Sequence, residues 1–192
     1  GKPIYVTSPG KANRYKIGYL PEDRKKQGVV DIASVGRNIT MSSLEYLSKL
    51  GFLDKDKERD VIADVIKRLA IKTPSPETLV RNMSGGNAQK CVLGRWIAAE
   101  SEILILDEAT QGIDVEAKTQ IYYIMDELAK KGKSILFISS DLSEVMGISD
   151  RILTMRHGKV VNITDGKSAD KNQILWEATV GSKDGDEEAL DG

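Results

Sequence analysis

Two groups of residues, about twenty positions apart, have the types and spacing needed to handle phosphate. Residues 84–87 (Ser-Gly-Gly-Asn) precede apolar residues at helical spacing, and a helix that opens in glycine offers free backbone N–H groups to an anion. Asp107 and Glu108 follow the apolar run 103–106. Acids at the carboxyl end of a buried strand suit Mg²⁺ and an attacking water. The pattern therefore predicts a phosphate-handling site.

The elements that position these groups alternate between strands and helices. A short apolar run at 16–20, closed by Pro21, predicts a strand that delivers Glu22 into a charged loop. The apolar runs 103–106 and 134–138 flank a helical pattern at about 116–130. Such alternation favours a parallel sheet with its functional loops at the carboxyl ends of the strands. The acid pair and residues 139–141 (Ser-Ser-Asp) fall at those ends.

The remaining segments have distinct patterns. Helical spacing over 35–70 ends at the prolines of 73–76, and Ser84 suits the N-cap of a helix to about Ala99, so we predict a helical subdomain over about 35–100. Two short apolar runs around Gly158 predict a hairpin. The acidic stretch 182–192 has little to bury and is predicted to be disordered.

Composition excludes several classes of protein. The 28 basic and 29 acidic residues nearly balance, which argues against a nucleic-acid or anionic-membrane binder. No apolar stretch reaches the roughly 18 to 20 residues that span a bilayer, and no signal-type segment opens the chain. The single cysteine, Cys91, fits a reducing compartment and helix packing. We therefore expect a cytoplasmic α/β protein.

Taken in order, the motifs resemble the nucleotide-binding domain of ABC transporters. More narrowly, they are similar to the carboxyl-terminal cassette of the tandem ATP-binding subunits of bacterial monosaccharide importers of the ribose, galactose and arabinose type. The resemblance covers about residues 1–181 as one partial ATPase cassette. It rests on four segments in the family's order, which are 18–25 (Gly-Tyr-Leu-Pro-Glu-Asp-Arg-Lys), 83–90 (Met-Ser-Gly-Gly-Asn-Ala-Gln-Lys), 103–110 and 139–141.

The resemblance implies a P-loop NTPase fold in which two cassettes sandwich two ATP molecules, so that each site combines Walker motifs of one cassette with the signature of the other. The resemblance implies that the signature residues, which contact the partner's nucleotide, are Ser84, Gly85, Gly86 and Asn87. It implies that Asp107 is the Walker B magnesium ligand and that Glu108 is the catalytic carboxylate. Glu22 would be the Q-loop position, Asp114 would belong to the D-loop, and Ser140 would be the switch position. The implied cofactors are ATP and Mg²⁺.

The sequence departs from the family pattern at three places. Ser140 occupies the switch position, where histidine is usual, and this weakens a donor to transition-state charge. Ala109 replaces the usual proline after the catalytic acid. No G-x-x-x-x-G-K-[ST] loop occurs in the 192 residues, so we expect the chain to begin beyond the Walker A strand and helix and to bind MgATP poorly by itself.

The lack of that element leads to an expectation about the fold. If the Walker A strand lay beside the Walker B strand, its removal would expose apolar surface on residues 103–106. The chain would then be marginally stable or would pair with a second copy.

The resemblance implies an ATP-hydrolysing, energy-coupling subunit of an importer for a monosaccharide or related small solute. Its expected partners are a second cassette, integral membrane permease subunits and, indirectly, a sugar-binding protein, which would place it peripherally on the inner face of the bacterial membrane. The alternative is a non-catalytic cassette that completes a partner's ATP site. Two simpler interpretations also stay open, a plain charged turn at 22–25 and a surface role for His157 at the hairpin tip.

Overall fold

The computed structural model describes residues 3–181, and the predicted disordered tail at 182–192 lies outside the described residues. The described residues form two compact units that divide between Ile138 and Ser139. The predicted domain bounds, a cassette over 1–181 with a helical subdomain over about 35–100, stay a prediction. In chain order the elements are α1 Pro9–Arg14, β1 Ile17–Leu20, a π-helix Arg24–Gly28, α2 Val35–Thr40, α3 Leu44–Leu47, β2 Ser48–Lys49, β3 Phe52–Leu53, α4 Lys55–Arg68, a 3₁₀ turn Val80–Asn82, α5 Gly85–Ala98, β4 Ile103–Asp107, α6 Val115–Lys130, β5 Ser134–Ile138, α7 Leu142–Ile148, β6 Arg151–Arg156, β7 Lys159–Asp165, a 3₁₀ turn Gly166–Ser168 and α8 Lys171–Thr179.

The first unit is built on a parallel sheet in the order β1-β4-β5. Leu20 pairs with Leu106, and Leu106 with Phe137, so the three strands end at the same edge. This is the parallel arrangement predicted from the alternation of apolar runs and helices. It places Asp107 and the residues after β1 at one edge of the sheet.

The expectation that residues 103–106 would be exposed agrees with Ile103, which is 40% exposed, and is wrong for Leu104 and Leu106. Strand β4 is hydrogen-bonded on both sides, and Leu104 and Leu106 are 1% and 0% exposed. At the two edges of the described sheet, β1 and β5 each have a neighbour on one side only, and Leu136 and Ile138 of β5 are 52% and 43% exposed. Which strands lie beside each other in a sheet does not follow from a local sequence pattern, so the sequence could not predict that β4 lies between β1 and β5.

Helix α5 forms the centre of the first unit's core. Its residues Cys91, Val92 and Leu93 are buried, and it packs closely because Gly94 faces Val65 of α4, where a β-carbon at Gly94 would lie 2.6 Å from the Val65 side chain. On the sheet side, the Trp96 indole N–H donates to the backbone carbonyl of Tyr19 at 2.8 Å. The carboxyl-terminal half of α5 is therefore held in a fixed position relative to β1 and α4.

The segment between residues 35 and 70 is less continuous than its helical spacing indicates. A small hairpin, β2 and β3, separates α3 from α4, with Leu50 and Gly51 at φ of +53° and +83° in its turn. Asp54 then caps α4 by accepting the Lys57 backbone N–H at 3.1 Å. The strands have two residues each, which is too short for an alternating pattern to identify them.

The second unit contains α7, the β6-β7 hairpin and α8. The predicted hairpin is confirmed, with His157 and Gly158 at φ of +47° and +77° in a turn of the mirror-image type that joins twisted strands. Within the described part of the chain, no helix combines the length and apolar character needed to cross a membrane.

Candidate functional site

The start of α5 is a capped helix terminus, as the sequence predicts. Ser84 has extended backbone and is the N-cap, and its Oγ accepts the Asn87 backbone N–H at 3.4 Å and the Asn87 side-chain amide at 2.9 Å. Gly85 and Gly86 are the first residues of the helix. Their N–H groups point out of the helix end, where the dipole favours an anion.

The two glycines have close neighbours of different kinds. A β-carbon on Gly86 would lie 2.7 Å from the β-carbon of Ala117, which the backbone of α6 holds in place. A β-carbon on Gly85 would lie 2.7 Å from Nη2 of Arg24, which is the end of a flexible side chain. Glycine is therefore required at Gly86, and the space beside the exposed N–H groups forms a narrow cradle.

The N-terminus of α6 lies next to the N-terminus of α5. Asp114 is its N-cap and accepts the Ala117 backbone N–H at 2.8 Å. A cavity of about 160 Å³ opens between the two helix termini. It is lined by Lys72, Ser84, Gly86, Asn87, Lys90, Asp114, Glu116, Ala117 and Gln120. Three of the four predicted signature residues and the predicted D-loop residue are thus brought together in one pocket.

Two lysines line this pocket that the sequence reasoning did not single out. Lys72 lies 3.2 Å from Glu116, and its backbone N–H donates to the side chain of Asn87 at 2.8 Å. Lys90 donates to the Ala70 carbonyl at 3.1 Å and to the Gln120 side chain, and burial lowers its pKa below the usual value. Lys90 is part of the quoted motif, whereas no spacing in the sequence indicates Lys72.

The acid pair lies at the carboxyl end of β4, as predicted. The Tyr19 hydroxyl, on β1, donates to Oδ2 of Asp107 at 2.9 Å, and this hydrogen bond is the main reason why the pKa of Tyr19 is raised. Glu108 has a φ of +46°, a conformation that costs energy for a residue with a β-carbon. Its backbone N–H donates to the Ile138 carbonyl at 2.9 Å, which ties the turn to β5.

These donors fit a magnesium ion that keeps part of its hydration. Among residues 3–181, no cluster of three or more His, Cys, Asp or Glu side chains could hold a metal by itself. Mg²⁺ is often held by one or two carboxylates, with waters and substrate phosphates completing its coordination. Asp107 and Glu108 supply carboxylates of that kind.

The other two predicted site residues are Glu22 and Ser140. Glu22 is exposed and lines a shallow depression of about 490 Å³ with Arg24 and Gly112 among its neighbours. Ser140 belongs to the second unit and directly precedes Asp141, which caps α7 by accepting the Ser143 backbone N–H at 3.0 Å. The role of Ser140 beside a nucleotide stays a prediction.

A parallel sheet with acids at the end of its middle strand, beside a glycine-opened helix, defines a protein of the nucleotide-binding class. Residues 5–111, more than half of the chain, match the ABC transporter family, and the chain belongs to that family. The resemblance drawn from the motifs is confirmed.

Curated relatives carry sugar-import names. The chain is 44% identical over 183 residues to the ribose import ATP-binding protein RbsA of Geobacillus kaustophilus, an alignment that covers 95% of this chain and 37% of that protein. It is 48% identical over 161 residues to the arabinose import ATP-binding protein AraG of Pectobacterium atrosepticum, covering 83% of this chain and 32% of that one. The chain thus spans about a third of the length of these relatives.

Solved structures show the same fold. One ABC transporter, described as being of metal-chelate type and in an inward-facing conformation, superposes with a TM-score of 0.71 at 18% identity, covering 83% of this chain and 62% of the other. At this identity the likeness shows the fold alone, which is the ABC cassette fold expected from the motifs.

Proposed function

We propose that the chain is part of an ATP-hydrolysing, energy-coupling subunit of an importer for a monosaccharide or related small solute, as the carboxyl-terminal cassette of a tandem protein. The observation that carries the proposal is the start of α5, where a serine cap and two glycines, of which Gly86 is sterically required, expose backbone N–H groups beside Lys72 and Lys90. Such a terminus suits the terminal phosphates of a nucleotide. The sugar-import names of the relatives supply the solute class.

In this proposal the two groups of residues serve two different nucleotides. Ser84, Gly85, Gly86 and Asn87 bind the phosphates of ATP held mainly by the partner cassette. Asp107 and Glu108 would serve the ATP of their own cassette, where Asp107 would help to hold the metal and Glu108 would accept the proton of the attacking water. Mg²⁺ would neutralise charge on the phosphate oxygens.

Tyr19 is a further participant in the proposed site. Its hydroxyl donates to Oδ2 of Asp107 and would fix the orientation of that carboxylate when it holds a metal, in the way that groups outside the ligand set orient ligands. Ser140 would offer a hydroxyl where most cassettes offer an imidazole, and Glu22 would face the permease side. The proposed partners are a second cassette and membrane permease subunits, which would hold the protein on the inner face of the membrane.

One observation favours a second candidate, in which this cassette completes its partner's site without turning over nucleotide itself. Ser140 is a weaker donor than the usual switch histidine. Glu108 distinguishes the two candidates, because a catalytic carboxylate is needed only if the cassette hydrolyses its own ATP.

The test uses the full-length protein with its permease. Ser84→Arg should abolish most ATPase activity and uptake, because the arginine side chain would occupy the phosphate cradle, whereas Ser168→Arg, at an exposed serine of the second unit, should leave both unchanged. ATPase and uptake that survive Ser84→Arg would refute the signature assignment. Glu108→Gln separates the candidates: a large loss of turnover supports hydrolysis at this cassette, and an unchanged rate supports the non-catalytic alternative.

A further inference from the structure

The side chain of Arg24 connects segments that are far apart in sequence. Arg24 is partly buried and begins the π-helix that follows β1. Its Nη1 donates to the backbone carbonyl of Gln111 at 3.1 Å, and its Nη2 donates to that of Gly112 at 3.4 Å. Both acceptors lie in the turn between the acid pair and Asp114.

The same guanidinium lies against the start of α5. A β-carbon on Gly85 would be 2.7 Å from Nη2 of Arg24 and 3.6 Å from the Gly112 carbonyl oxygen. Arg24 therefore occupies the position where the loop after β1, the turn at 109–112 and the first residue of α5 meet. Any shift of the turn must be accommodated by the arginine or by α5.

The geometry is specific to arginine. A planar guanidinium presents several donors in a fixed fork, whereas a lysine ammonium is a single centre on a flexible stem. The nearby acid does not compete for Arg24, because Asp23 is engaged by Lys26, whose Nζ lies 3.3 Å away and whose backbone N–H donates to it at 3.1 Å. A charged donor also makes a stronger hydrogen bond to a carbonyl than a neutral one does.

The turn that Arg24 binds is buried in its first half and exposed in its second. Gly112 adopts a φ of +65°, and the Gln111 N–H donates to the Glu108 carbonyl at 3.0 Å. Ala109, by contrast, is fully buried and anchors the beginning of the turn. The two carbonyls held by Arg24 are thus in the exposed half of the turn, at Gln111 and Gly112.

We infer that Arg24 is a positioning residue that fixes the turn at 109–112 against the start of α5. Through it, a movement of the charged loop carrying Glu22 is transmitted to the turn that follows Glu108 and precedes Asp114. The consequence for catalysis rests on the proposed function, because it requires that Glu108 and the turn serve ATP hydrolysis. The contact with the turn does not depend on that function.

Two measurements on the full-length protein test the inference. In Arg24→Met, hydrogen exchange of the amides at 110–113 should become faster by about three- to tenfold, which is the range expected for the loss of hydrogen bonds from a charged donor, while the core of α5 keeps its protection. With the permease present, kcat for ATP should fall by a similar factor and KM should change little. Arg59→Met is the matched control, since Arg59 is exposed and pairs only with Asp56 three residues earlier in the interactions that the structure shows.

Arg24→Lys keeps the positive charge but loses the planar group with several donors. Its rate of hydrogen exchange at 110–113 should therefore lie between the rates of the parent protein and Arg24→Met. Faster exchange throughout the first unit in Arg24→Met would mean that the substitution destabilises the protein generally. In that case Arg24→Lys tests the inference, and unchanged exchange at 110–113 in Arg24→Lys would overturn it. A loss of kcat with unchanged exchange at 110–113 would also overturn it. A parent protein without any ATPase activity would instead refute the proposed function and leave the exchange result valid.

Discussion

The start of α5 and the end of β4 are both suited to nucleotide chemistry, but they differ in how far the described residues complete them. At the start of α5, Ser84 supplies the cap, α6 closes one side and two lysines line the pocket. At the end of β4, Asp107 is held by one exposed hydroxyl and Glu108 has a strained backbone. The first site is preformed, whereas the second depends on further groups to bind a nucleotide.

The difference follows from what each site has to bind. Backbone N–H groups at a helix terminus need only a rigid helix and a small residue, and α5 has both because its apolar face is buried in the core. Carboxylates at a strand end need a cation and phosphate oxygens to balance their charge.

The largest effect is expected from filling the cradle at the start of α5. Gly86→Ala should lower the free energy of unfolding by about 1–3 kcal/mol, because its methyl group would overlap Ala117 and force α5 and α6 apart. Denaturant unfolding measures the change. Gly10→Ala in α1 is the control, since nothing lies within 4 Å of its added carbon, and it should be neutral or stabilising. A Gly86→Ala protein as stable as the parent would show that α5 and α6 are not rigidly apposed.

At the end of β4, a smaller and purely functional effect is expected from Tyr19→Phe. Removing the hydroxyl releases Asp107, so we expect the ATPase rate of the full-length protein to fall by about three- to tenfold. The free energy of unfolding should hardly change, because the hydrogen bond is exposed.

The control for Tyr19→Phe is Tyr123→Phe, at a 72% exposed position of α6. An unchanged ATPase rate in Tyr19→Phe would mean that the carboxylate is oriented by other groups. Equal losses in the two variants would mean that the assay reports a general effect of losing a hydroxyl.

The smallest effect is expected in the labelling of Cys91, which tests whether α5 is rigid without any ligand. Burial raises the pKa of the Cys91 thiol to about 12, so almost no thiolate exists at pH 8 in the folded chain. A thiol reagent should therefore label Cys91 only as fast as the protein opens. Rapid labelling under native conditions would contradict a preformed α5 and remove the distinction between the two sites.

The raised thiol pKa also has a consequence for stability at high pH. Because the folded-state pKa of about 12 exceeds the ordinary value of 9.0, the folded protein holds its proton while the unfolded chain releases it. The contribution of Cys91 to stability is therefore complete below about pH 9 and is lost as the pH rises toward 12.

The two sites also differ in what the sequence could predict. The Ser84 cap, the bounds of α5 and the acids at the end of β4 were predictable, because capping and strand ends are local patterns. Tyr19, Arg24 and Lys72 were not, because their contacts join residues that are between 15 and 88 positions apart. The central place of β4 was also missed, since pairing of strands depends on the whole sheet.

The central claim is that the start of α5 binds the terminal phosphates of a nucleotide. The most direct test is hydrogen exchange, resolved to single residues, at the amides of Gly85 and Gly86 in the full-length protein. Our account predicts that MgATP slows the exchange of these amides and that ADP does so far less, because only ATP brings a terminal phosphate to the helix terminus. Exchange at Gly85 and Gly86 that is the same with MgATP, with ADP and without nucleotide would contradict the claim.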